Sequence, residues 1–166
     1  MPGIDKNEFI VLFNRMYDNI KHYIYFKTGD IDVADDIAQE VFVKIWEKRD
    51  GLRKETLTPL LYTIAGNLCK NRFAHQKVVF DFTNNFQSTE KPETPEFEME
   101  MKEFSDKLQR AIGGLKERNR VVFLMNRIEG FTYNEIAANL EISVKTVEKR
   151  MKKALDDLKK TIEYKI

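Results

Sequence analysis

The segment EISVKTVEKRMKKALDDL, residues 141–158, combines basic side chains with a regular apolar repeat. Its apolar residues recur every three or four positions, which predicts a helix with a buried stripe formed by Val144, Val147, Met151, Ala154, Leu155 and Leu158. The side chains facing away from this stripe are Lys145, Thr146, Glu148, Lys149, Lys152 and Lys153, with Arg150 at its border. Lys and Arg neutralise phosphates, and a Glu carboxylate accepts a hydrogen bond from a cytosine amino group. The pattern therefore favours a nucleic-acid-binding surface over the alternative, a solvated helix with a Glu148–Lys152 ion pair.

The residues before this helix complete a helix-turn-helix pattern. Thr132 and Glu135 are spaced as a capping box, which predicts the start of a helix of about two turns. A short connection follows, and Ser143 can cap the basic helix. Two short helices joined by such a turn are typical of DNA-binding domains, in which the second helix enters the major groove. We therefore expect residues 144–158 to form a recognition helix.

The elements that must position this motif are helical throughout. With only 7 Gly and 4 Pro, the chain keeps apolar residues at helical spacing almost everywhere, so we predict an all-α fold. Three helices, at about 5–29, 32–49 and 58–75, should form one small bundle, with Thr58 capping the third. The apolar pattern of a second helical domain includes Phe104, Leu108, Ala111 and Leu115, then Val121, Val122, Leu124, Met125 and Ile128.

Charge and composition separate these two domains. Residues 78–106 carry 2 basic and 8 acidic side chains, whereas residues 107–166 carry 14 basic and 8 acidic ones. We predict a domain at 1–77, a flexible acidic linker at 78–100 and a second domain at 101–166. The linker aromatics Phe80, Phe82 and Phe86 suggest that part of it packs on a domain or a partner.

Several chemistries have little support in the sequence. The single Cys69 cannot form an internal disulfide, and the two histidines, His22 and His75, cannot complete a zinc site of the usual spacing. Asp35, Asp36 and Glu40 diverge around their helix, which argues against a metal cluster. No catalytic motif is present, so we expect a protein that is not an enzyme and needs no cofactor. No run of apolar residues reaches membrane-spanning length, which predicts a cytoplasmic protein.

Three stretches of the chain resemble a known family. LKERNRVVFLMNRIEGFTYNEIAANLEISVKTVEKRMKKAL, at 115–155, is similar to region four, the promoter −35-binding domain of bacterial RNA polymerase sigma factors. DVADDIAQEVFVKIWEKRD, at 32–50, and LLYTIAGNLCKNR, at 60–72, resemble region two of the extracytoplasmic-function (ECF) group. Lys116 stands where the family commonly has Pro, and Glu141 where it often has Gly; a positive φ at Glu141 would cost about 1 kcal/mol.

The resemblance implies partners and assigns residues to them. It implies that the chain binds core RNA polymerase and promoter DNA, is held by an anti-sigma factor, and is monomeric when free. The polymerase-binding residues would be an outer stripe of the second helix, Asp36, Gln39, Glu40, Val43 and Glu47, for which an ordinary solvated face is the alternative. The −10 element would be captured by Arg53, Lys54, Thr63, Asn67, Lys70 and Asn71. The −35 element would be read by the recognition helix.

Two aromatic residues and one competing function remain open at this point. Trp46 either stacks on a base or belongs to the core, and Tyr62 is equally ambiguous. The competing function is a stand-alone helix-turn-helix regulator of the response-regulator type. Such regulators usually carry a sensor domain with strands, and residues 32–72 contain no strand pattern, which favours the sigma-factor hypothesis.

Overall fold

A computed structural model describes residues 3–73 and 94–163 of the chain. These residues form seven α-helices and two short 3₁₀ turns, and no strand occurs among them. The helices are α1 (Lys6–Thr28), α2 (Ile31–Lys48), α3 (Leu57–Phe73), α4 (Pro95–Gly113), α5 (Glu117–Arg127), α6 (Tyr133–Leu140) and α7 (Val144–Glu163). The 3₁₀ turns, Arg49–Gly51 and Lys54–Thr56, connect α2 to α3. The predicted all-α fold is confirmed.

Helices α1, α2 and α3 form the N-terminal unit. Helix α1 begins with a capping box in which Asp5 and Glu8 each bond the other's backbone N–H, and it ends at Gly29, where φ is 73°. Asp30 caps α2 by accepting hydrogen bonds from two backbone N–H groups. Their apolar faces meet in a core whose members include Ile20, Ile24, Ile37, Val41, Ile45, Leu61 and Ala65, all fully buried.

Helices α4 to α7 form the C-terminal unit, and it packs directly on the N-terminal unit. Helix α5 contacts α1, and α6 contacts α3, in addition to the contacts of both helices with α7. The buried residues of the C-terminal unit include Leu124, Met125, Ile136, Val147, Met151 and Ala154. The sequence could not predict how the units are oriented, and the structure places them side by side.

Several details of the sequence-based prediction were wrong. Leu155, predicted in the buried stripe of α7, is 41% exposed, because helical spacing predicts which residues share a face but not how far neighbouring helices cover it. Ile128, part of the predicted apolar pattern, is 40% exposed. Thr58 is not the N-cap of α3, since the turn at Lys54–Thr56 leads into a helix that starts at Leu57. Helix α4 starts at Pro95, so residues 95–100 of the predicted linker are helical. The linker aromatics lie outside the described residues.

Candidate nucleic-acid interface

Three local features at the ends of α6 and α7 form the helix-turn-helix. Thr132 and Glu135 form the predicted capping box, with both N···O distances at 3.1 Å. Glu141 closes α6 in the left-handed conformation, with φ 55° and ψ 46°. Ser143 Oγ accepts a hydrogen bond from the backbone N–H of Thr146 at 3.0 Å, which starts α7. These features fix the angle at which α7 leaves the turn.

Helix α7 presents its predicted polar face to solvent. Lys145, Glu148, Lys149, Lys152 and Lys153 are exposed, and Thr146 and Arg150 are half-buried. The opposite face is held down by Val147, Met151, Ala154 and Leu158, all buried. Among the ion pairs of the described residues, Lys153 pairs with Asp157 at 3.3 Å, but Glu148 and Lys152 do not pair. Apart from the Lys153–Asp157 pair, the charges of this face have no ion-pair partner among the described residues, and the specific pair expected for a solvated helix is not formed.

The residues predicted to contact the −10 element lie around the start and the outer face of α3. Arg53, Lys54, Thr63, Asn67, Lys70 and Asn71 are all exposed. Lys54 is tied to the Glu8 carboxylate, and Thr63 Oγ1 donates to the carbonyl of Pro59 at 3.0 Å. Thr63, Asn67 and Lys70 line a groove whose other wall is formed by α6 and α7. The C-terminal unit thus stands opposite this part of α3.

The two ambiguous aromatic residues belong to the N-terminal unit's packing. Trp46 is half-buried, with its ring centroid 5.0 Å from that of Phe9, and the Arg49 guanidinium lies 3.8 Å from its centre. Tyr62 is only 2% exposed and packs edge-on against Tyr23. Since Tyr62 is buried and the Trp46 ring packs against Phe9 and Arg49, the core interpretation is the better one for both.

The predicted polymerase-binding residues share the outer face of α2. Asp36, Gln39, Val43 and Glu47 are exposed and Glu40 is half-buried. Val43 is 54% exposed, which is high for a Val within a helix that packs on two others. The adjacent Asp35 carboxylate accepts hydrogen bonds from the Tyr17 hydroxyl and, at 3.2 Å, from the Gln39 amide. Within the described residues, no group of three or more His, Cys, Asp or Glu side chains is placed so that it could hold a metal ion.

Sequence reasoning missed the side chains that join the two units. Arg120 on α5 is 2% exposed and donates hydrogen bonds to the α1 carbonyls of Phe26 and Lys27 at 2.8 and 3.1 Å. It also donates to the carbonyl of Leu115 at 2.9 Å. Burial lowers the pKa of Arg120 to about 10, so the guanidinium stays charged at neutral pH. Arg120 lies one helical turn before the buried Leu124, so the two residues share a face of α5. This spacing is the only indication in the sequence that Arg120 faces the protein interior.

Two ionisable contacts accompany Arg120 at the junction. Lys27 Nζ lies 2.6 Å from Glu117 Oε1, and His22 Nδ1 lies 3.3 Å from Glu129 Oε1. Burial raises the pKa of Glu129, and the hydrogen bond to His22 opposes part of this rise. All three contacts join α1 to α5 or to the turn that follows α5. They hold α6 opposite α3.

Comparisons with known proteins agree with this arrangement of two units. Two family models match in order: "Sigma-70 region 2" over residues 12–78 and "Sigma-70, region 4" over residues 105–158. Together they cover more than half of the sequence. The chain belongs to the sigma-70 family of RNA polymerase sigma factors.

Relatives place this sigma factor in the ECF group. It is 26% identical over 156 residues to the RNA polymerase sigma factor YlaC of Bacillus subtilis, covering 91% of this chain and 90% of that protein. It is 28% identical over 163 residues to the ECF RNA polymerase sigma-E factor of Escherichia coli, covering 90% and 84% of the two chains. A solved structure of the sigma factor RpoE from Bartonella quintana, in complex with the anti-sigma factor NepR, has the same fold, with a TM-score of 0.68 at 16% identity. It covers 95% of this chain and 98% of that one.

The same comparisons decide between the two functions that the sequence left open. The stand-alone regulator of the response-regulator type is not favoured, because region 2 occupies the N-terminal half of the sigma factor.

The helices of the described residues were also compared with the length and apolar character that a membrane span requires. None of them meets both requirements.

Proposed function

We propose that this ECF sigma factor joins core RNA polymerase and directs transcription initiation at promoters whose two elements are read by its two units. The observation that carries this proposal is the order of regions 2 and 4 along one chain, with a cationic recognition face exposed on α7. The protein acts as an initiation factor in the cytoplasm, where polymerase and DNA meet, and not as an enzyme in its own right. It is monomeric when free.

The C-terminal unit reads the −35 element in this proposal. Lys145, Thr146, Glu148 and Lys149 lie in the first two turns of α7, the part of a recognition helix that reaches base edges. Arg150, Lys152 and Lys153 follow them and supply charges for phosphates. Because Glu148 accepts hydrogen bonds and the lysines donate them, the face distinguishes base edges more sharply than lysines alone.

The N-terminal unit captures the −10 element and docks on polymerase. Arg53 and Lys54, in the connection before α3, offer donors to a separated DNA strand together with residues on the outer face of α3, which are Thr63, Asn67, Lys70 and Asn71. The exposed stripe of Asp36, Gln39, Val43 and Glu47, with Glu40, supplies acidic and apolar contacts for a basic partner helix. The two surfaces lie on different helices, so one unit can contact polymerase and DNA together.

An anti-sigma factor is the expected negative regulator. The RpoE structure of the same fold contains such a partner, NepR. In this chain, α3 and α6 already face each other, so a protein that holds the units together would keep the −10 residues away from DNA.

Transcription with purified core polymerase tests the proposal. Core enzyme with the chain should start transcripts at defined promoters that core enzyme alone ignores, as read by sequencing the transcripts. Reversing Lys149 and Lys153 to Glu should abolish this specific initiation and leave polymerase binding intact. The matched control reverses Lys159 and Lys160, which are exposed on the same helix but lie beyond its DNA-facing turns.

Two results would contradict the proposal. Loss of polymerase binding together with promoter specificity in the Lys149 and Lys153 variant would remove the assignment of α7 to DNA. Tight, sequence-specific binding by the isolated chain would favour a stand-alone regulator, since a sigma factor without polymerase should make few phosphate contacts and should therefore bind DNA weakly.

A further inference from the structure

A groove with an excess of positive charge runs along the junction between the two units. Its volume is about 480 Å³, and its walls come from α1, α3, α5, α6 and α7. Five of its lining side chains are cationic, and one, Glu117, is acidic. The cations are Lys27, Lys70, Lys116, Arg118 and Arg150.

Most of this charge has no counter-charge in the protein. The Glu117 carboxylate is engaged by Lys27 at 2.6 Å. Within residues 3–73 and 94–163, the other four cations make no ion pair. Burial lowers the pKa of Arg150, and the neighbouring charge of Arg118 lowers it further by a smaller effect. Cations held near one another in this way repel each other, so a bound anion would be favoured in the groove.

The backbone at the start of α5 adds neutral donors to the same groove, and a buried tyrosine lies beside the groove. Lys116 occupies the N-cap of α5, where it makes no side-chain cap, and the first residues of that helix line the groove. A helix N-terminus without a cap offers free N–H groups and a positive dipole end to an anion. The adjoining part of the groove, which shares Lys70 and Arg150, is lined by Tyr62. The Tyr62 hydroxyl is buried and has no hydrogen-bond partner among the described residues.

We propose that this groove is a binding site for a small polyphosphate, a ligand with two or three linked phosphate groups. Four cations without a carboxylate partner, contributed by α3, α5 and α7, match the several negative charges of such a ligand better than they match a single phosphate. The volume, about 480 Å³, is that of a small-molecule site. A volume of about 480 Å³ accommodates a small molecule and not a DNA duplex.

The site has a consequence for regulation that rests on the proposed function. Lys70 belongs to the N-terminal unit, whereas Lys116, Arg118 and Arg150 belong to the C-terminal unit. A ligand bound by both sets stabilises the packed arrangement of the units, since it binds that arrangement and not the separated one. Lys70 and Arg150 are also proposed DNA contacts, so bound polyphosphate and promoter DNA exclude each other.

Isothermal titration of the full chain with sodium tripolyphosphate, at fixed ionic strength, tests the site. We expect one ligand per chain. Changing Lys116 and Arg118 together to Ala should weaken binding at least ten-fold, and both side chains are exposed, so the variant should keep its helical circular dichroism. Changing Lys159 and Lys160 to Ala removes the same charge outside the groove and should change the affinity less than two-fold.

Three outcomes would overturn the proposal. The first is the absence of binding at millimolar tripolyphosphate. The second is an equal loss of affinity in the Lys116 and Arg118 variant and in the Lys159 and Lys160 control. The third is displacement of tripolyphosphate by sodium sulfate at equal ionic strength. If a short single-stranded oligonucleotide binds more tightly and is lost in the same Lys116 and Arg118 variant, the groove is a nucleic-acid surface instead. Transcription assayed without polyphosphate separates this result from failure of the sigma-factor function, because Lys116 and Arg118 are not among the proposed promoter contacts.

Discussion

Replacing Arg120 by Met should destabilise the protein and loosen the packing of its two units. Arg120 donates to the carbonyls of Phe26 and Lys27 in α1 and to that of Leu115 after α4. Met keeps the length of the side chain but leaves these carbonyls without their donor. An unsatisfied buried polar group costs about 1–3 kcal/mol, and the effects within one network are not additive. We expect a loss of about 1–3 kcal/mol in the free energy of unfolding, because the lost contacts are hydrogen bonds to neutral carbonyls and Met leaves no unpaired charge behind.

Urea denaturation measures this loss, and small-angle X-ray scattering measures the separation of the units as a larger radius of gyration. Arg120→Lys is the matched control, because Lys keeps the charge but cannot direct three donors in the planar fork of Arg, so it should recover only part of the stability. A loss below about 1 kcal/mol for Arg120→Met, with an unchanged radius of gyration, would refute the reasoning, since buried carbonyls that lose their donor should cost more than this.

Three further predictions concern single residues. Glu141→Gly should stabilise the fold by about 1 kcal/mol, because φ is 55° at an exposed position, whereas Glu141→Ala should give no such gain in thermal unfolding. Ser143→Ala should cost about 0.5–2 kcal/mol through loss of the 3.0 Å cap on the Thr146 N–H, and Ser143→Asp should restore most of it by the same measurement. Because burial raises the pKa of Glu129 above its ordinary value of 4.5, this group contributes stability below pH 4.5 that is lost as pH rises through the raised pKa. From pH 4.5 to 7, the free energy of unfolding of the unaltered chain should therefore fall relative to that of Glu129→Gln. A difference between the two proteins that stays constant with pH would contradict this assignment.

The helices and their caps follow from local rules that the sequence displays. The capping boxes at Asp5 and Thr132 and the cap at Ser143 each need only residues within one turn, so they could be predicted and are present. The buried stripe of α7 could likewise be predicted at Val147, Met151, Ala154 and Leu158. Leu155 could not, because helical spacing gives the width of an apolar face and not how far the neighbouring helices cover it.

The junction between the units obeys no local rule, and this explains why its residues were missed. Arg120 is held by main-chain carbonyls, which every residue possesses. No side chain in α1 therefore indicates that Arg120 binds there. The contacts between Lys27 and Glu117 and between His22 and Glu129 link residues far apart in the sequence, and each helix offers other charges that could have paired equally well. The charge count therefore identified a basic C-terminal segment but not the place where its unpaired cations gather. That place is set by the docking of α5 on α1. The same docking puts Thr63, Asn67 and Lys70 of α3 in a groove that Arg150 of α7 also lines, whereas the lysines of α7 remain exposed to solvent.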